Sequence, residues 1–204
     1  TPIMTLFPYT TLFRSKKFVL GLMISAGLLG ATTVVANADT TGSSTGDVTF
    51  TGGTLSMSVD ATHLAFGSNT ITSSDATLAT SSTPTITVSD LRGTSAGWTL
   101  TVAQGQQFNT DEEGAGSALT NAALTVAGTE SDSAVTNGST TLTPGTTSAA
   151  GAAGTVAYAK NGTGNGASTV TFSDSKLAVP GKTTKLATGY TTTLTWNLSA
   201  TPEN

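Results

Sequence analysis

The chain has 204 residues, 37% of them hydrophobic and only 10% charged, with 23 glycines, one histidine and no cysteine. The missing thiols exclude disulfide staples, thiol catalysis, thiolate metal sites and a lipid-modified cysteine, so stability must come from packing and backbone pairing. Arg14, Lys16 and Lys17 precede the other five basic residues and all twelve acidic ones, so from residue 39 onward the charge is about −7, which disfavours nucleic acid, anionic lipid and teichoic-acid phosphates as electrostatic partners.

Residues 5–15 read TLFPYTTLFRS, which resembles the in-frame translation of a sequencing-library adapter, so residues 1–15 are expected to be a gene-model artefact. Lys16 and Lys17 then open a signal-peptide pattern over residues 16–38: a basic start, an apolar run from Phe18 to Val35, and small residues at Ala36 and Ala38. Cleavage after Ala38 would release a chain without an integral membrane anchor. Residues 39–46 read as a flexible leader, and residues 47–204 as one β domain.

That domain is expected to be all-β, an antiparallel sandwich or barrel-like fold. Thr, Ser, Gly and Ala dominate, no apolar 3.6-residue period persists, and apolar residues recur at every second position. The spacing predicts strands over residues 47–50, 54–59 (Leu55, Met57 and Val59 inward), 85–90, 98–102, 122–126 (Ala122, Leu124 and Val126 inward), 154–158, 168–172 and 190–198. Residues 137–154 form a long polar excursion that is either a surface loop or conceals a weak strand near residues 141–143.

Little in the chain suits catalysis, and no cofactor is expected. His63 is the lone histidine and has no nucleophile elbow around it. Asp111, Glu112 and Glu113 are consecutive and read as a solvated run. Gly162, Gly164 and Gly166 imitate a phosphate loop without the strand-to-helix change that such a loop needs. The terminal residues 201–204 carry no apolar tail, so no covalent or lipid anchor is expected there.

Two segments rise above this background. The first contains Asp90, Arg92, Gly93, Gly97, Trp98, Leu100 and Val102; the second contains Tyr190, Leu194, Trp196, Leu198 and Pro202. They resemble the two signature motifs of the WxL domain, a cell-wall-binding domain of surface proteins in low-GC Gram-positive bacteria, and the likeness extends from about Asp47 to Pro202. The resemblance implies a secreted, non-catalytic surface protein held non-covalently on peptidoglycan. It also implies assembly with WxL-interacting proteins and larger WxL proteins, and similarity to the small single-domain members.

Parity bears on what the tryptophans do. Trp98 shares its strand face with Leu100 and Val102, and Trp196 shares its face with Leu194 and Leu198, so both indoles are expected mainly to anchor the core. An indole near a sheet edge could still lend its rim to a groove. Asp90 and Arg92 are expected to set how the Trp98 strand enters the sheet, with Arg92 as a secondary candidate for a wall contact.

Overall fold

The computed structural model describes residues 41–60 and 63–203. The expected artefact and signal peptide, and the first two residues of the expected leader, lie outside them. Residues 41–47 are exposed and carry no regular structure. From Val48 on, the described residues contain no helix and eleven strands: β1 (Leu55–Val59), β2 (Ala76–Ala79), β3 (Thr85–Asp90), β4 (Trp98–Gln104), β5 (Ala123–Ala127), β6 (Thr136–Asn137), β7 (Ser139–Thr141), β8 (Gly154–Ala159), β9 (Gly166–Thr171), β10 (Lys176–Val179) and β11 (Leu194–Ser199).

The strands form three antiparallel sheets with orders β1-β3-β9, β2-β10-β5-β7 and β11-β4-β8-β6, and none closes into a barrel. The alternation read from the sequence explains this arrangement. In β3, Ile86 and Val88 point inward and are buried, and in β5 Leu124 and Val126 do the same. Val170 of β9, Leu177 of β10, and Trp98, Leu100 and Val102 of β4 join them in one shared core. Threonines occupy the opposite faces. The Thr87 and Thr169 hydroxyls meet across β3 and β9 at 3.2 Å, and those of Thr125 and Thr141 across β5 and β7 at 2.8 Å. Such cross-strand hydroxyl pairs make a threonine-rich composition compatible with a folded sheet surface.

Several expectations are corrected. Residues 47–50 form no strand: Val48 and Phe50 are 76% and 87% exposed, although their alternation is that of a strand. Met57 and Val59 lie on the inward face of β1, opposite buried Val88 and Ile86, yet remain 36% and 50% exposed on what is, among the described residues, an edge strand of the sheet. The last strand begins at Leu194 rather than at residue 190. The long excursion contributes β7 at Ser139–Thr141, slightly ahead of the expected position, beside the two-residue β6. Strands β2 and β10 were not legible, because ATLA and KLAV are too short to display a period.

Candidate functional site

The two Trp-x-Leu segments are neighbours. β11 pairs with β4 so that Trp196 lies opposite Val102, and Leu198 opposite Leu100. The environments of the indoles differ because β4 is flanked on both sides, by β11 and β8, whereas β11 is an edge strand. Trp98 is wholly buried and Trp196 only half-buried.

The sequence reading missed what satisfies the buried indole. Its N–H donates to the Gly164 carbonyl at 3.1 Å. Gly164 has φ +78°, and a Cβ there would lie 2.8 Å from the indole nitrogen and run into the Ala159 methyl. The G-x-G-x-G run is therefore a turn shaped to cover Trp98. The same turn is joined to the loop before β4, where Asn165 donates its side-chain N–H to the Ser95 hydroxyl at 2.7 Å.

Asp90 ends β3 with its side chain facing the core, and Arg92 folds back onto it. The guanidinium Nε and Nη2 donate to the two carboxylate oxygens at 2.8 and 2.7 Å, and Nη2 also donates to the Gly97 carbonyl at 2.6 Å. The pair thus ties the end of β3 to the residue before Trp98, linking two sheets. The hydrogen bond from Arg92 holds the Asp90 carboxyl below the usual range against the opposing effect of burial, and Asp90 raises Arg92 in turn. Gly93 and Gly97 both have positive φ, and a Cβ on Gly97 would strike the Ala159 carbonyl.

Trp196 belongs to a different setting. Its ring packs on Phe172 with centroids 4.7 Å apart and planes tilted by 49°, and its rim borders an open, mainly apolar groove of about 1330 Å³. The same groove is lined by Leu194, Tyr190, Leu78, Leu124, Val59 and Phe66. Tyr190 is fixed by accepting the Leu186 N–H at its hydroxyl, 2.7 Å. Lys185 clamps this loop by donating to the carbonyls of Thr72, Pro180, Gly181 and Thr183 at 3.1–3.3 Å. His63 is exposed at the groove. The Asp111 carboxylate caps its own turn by accepting the Glu113 N–H at 2.8 Å. Pro202 is half-buried and follows the Thr201 carbonyl, which accepts the Thr99 hydroxyl at 2.8 Å.

A family model described as a WxL domain, surface cell wall-binding, matches residues 32–202, a span that contains both tryptophan strands. This chain belongs to the WxL domain family. The WxL assignment places the protein at the cell surface in association with the wall, and the family is a binding family rather than a catalytic one. No curated protein and no solved structure matches the chain significantly. Within this WxL domain, Trp98 belongs to the core and its glycine turn, while Trp196 is the signature tryptophan that reaches a concave surface.

Proposed function

We propose that the protein is a secreted, non-catalytic module that binds the peptidoglycan of the wall non-covalently. The observation that carries this is the family match over a chain whose two Trp-x-Leu strands pair side by side in one sheet. The acidic balance supports a glycan or peptide contact rather than attraction to wall phosphates. Because Trp98 is enclosed and Arg92 is engaged by Asp90 and Gly97, the contact is assigned to surface loops, and both residues to holding the fold. The test is co-sedimentation of the purified secreted protein with sacculi stripped of proteins and teichoic acids. Direct binding leaves the protein in the pellet. Protein remaining in the supernatant refutes direct binding.

A second reading, retention as an assembly subunit through WxL-interacting proteins or larger WxL proteins, is supported by the exposed edge strands β1 and β11. It predicts that stripped sacculi fail to retain the protein whereas sacculi carrying their native surface proteins do retain it.

A further inference from the structure

The groove borders the edge strand β11. Leu194, Trp196 and Leu198 face the same way as buried Gln104, Val102 and Leu100, yet all three are only half-buried, and among the described residues no strand flanks β11 on its outer side. A strand added to that edge would place alternate side chains beside Leu194 and Trp196 and close the groove. The same chain carries a segment of matching pattern. In residues 48–51, VTFT, Val48 and Phe50 share one face and two threonines the other, all four residues are exposed, and their backbone makes no hydrogen bond among the described residues.

The segment does not reach its own groove. The Gly53 N–H donates to the Leu91 carbonyl at 2.7 Å and the Leu91 N–H to the Thr54 carbonyl at 3.0 Å, so the β1 ladder is locked up to Gly53 and residues 48–51 emerge at its Leu55 end. The groove lies at the opposite, Val59 end. A five-residue strand, roughly 17 Å long, separates the two.

We propose that residues 48–51 of one molecule add to the free edge of β11 in a second copy, with Val48 and Phe50 covering Leu194 and Trp196. The contact is heterologous, donor edge to acceptor groove, so it propagates head to tail into rows of molecules or closes into a ring. It is independent of wall binding and is measured without wall material. So short a strand buries less than a standard interface, and association is expected in the micromolar to millimolar range.

The experiment is sedimentation velocity of the secreted protein between about 1 µM and about 1 mM, with Phe50→Glu as the variant. Phe50 is 87% exposed, so this change should leave the melting temperature unaltered. Wild type is expected to sediment faster as concentration rises, and Phe50→Glu to remain monomeric, weakened at least about thirtyfold. A peptide of residues 45–54 added to Phe50→Glu is expected to shift the tryptophan emission, and Trp196→Phe to abolish that shift, because Trp98 is enclosed. Wild type that stays monomeric throughout, or association that survives Phe50→Glu, overturns the proposal. So does an emission shift produced by a peptidoglycan fragment but not by the peptide, which would give the groove to the wall.

Discussion

Asp90 shows how a single buried carboxylate organises its surroundings. It is fully covered, and Arg92, whose side chain is 18% exposed, supplies three hydrogen bonds to it, two from the guanidinium that compensate its charge and one from the backbone N–H. Removing the guanidinium leaves the buried carboxylate without its counter-charge and with only the backbone N–H of residue 92, so Arg92→Ala is expected to destabilise the fold by about 2–3 kcal/mol, discounted for the partial exposure of the pair. Wall retention should fall in step with stability. Retention lost at an unchanged melting temperature would instead place Arg92 on the wall. The pH dependence follows from the direction of the shift. A carboxyl held below its ordinary value contributes fully above about pH 4 and loses that contribution as pH falls toward its lowered folded value. Urea titrations between about pH 5 and pH 2 should show stability falling in wild type, with a flatter acid limb in Asp90→Asn.

Among the elements, the turn from residue 160 to residue 166 is the clearest case of local sequence serving a distant side chain. Gly162 and Gly164 both require positive φ, but a Cβ at Gly162 would meet open space whereas one at Gly164 would strike Trp98 and Ala159. Gly162→Ala is therefore expected to cost about 1–2 kcal/mol from conformation alone. Gly164→Ala adds overpacking, for a total of about 3–4 kcal/mol, and also displaces the carbonyl that accepts the indole N–H. Thermal unfolding separates them: about 2–4 °C per kcal/mol for a chain of this size makes the second shift roughly twice the first. Equal shifts would show that the close approach to Trp98 carries no weight. The same elements show what local pattern conveys. β3, β4, β5 and β9 announce themselves by alternation over five or more residues. β2 and β10 do not, because Leu78 and Leu177, which face each other, are the only large apolar anchors in the first strand and the first of two in the second.

For the molecule as a whole, the decisive feature is an asymmetric closure. Trp98 lies in a strand flanked on both sides and Trp196 in one flanked on a single side, so truncation should discriminate between them. Trp98→Ala is expected to cost about 3–5 kcal/mol and Trp196→Ala about 1–3 kcal/mol, measured by urea unfolding. Equal losses would mean that the groove is closed in solution. The all-β class, the exclusion of thiol chemistry, the family and the face to which each tryptophan belongs were all readable from residue order, because strand parity and motif spacing are local properties. Whether a neighbour exists to cover that face is not local. It depends on how strands distant in sequence are ordered in the sheets, and only the tertiary structure decided that Trp98 is sealed beneath Gly164, that Met57, Val59 and Trp196 stay partly exposed on the faces their parity gives them, and that residues 48–51 carry a strand's alternation without forming a strand.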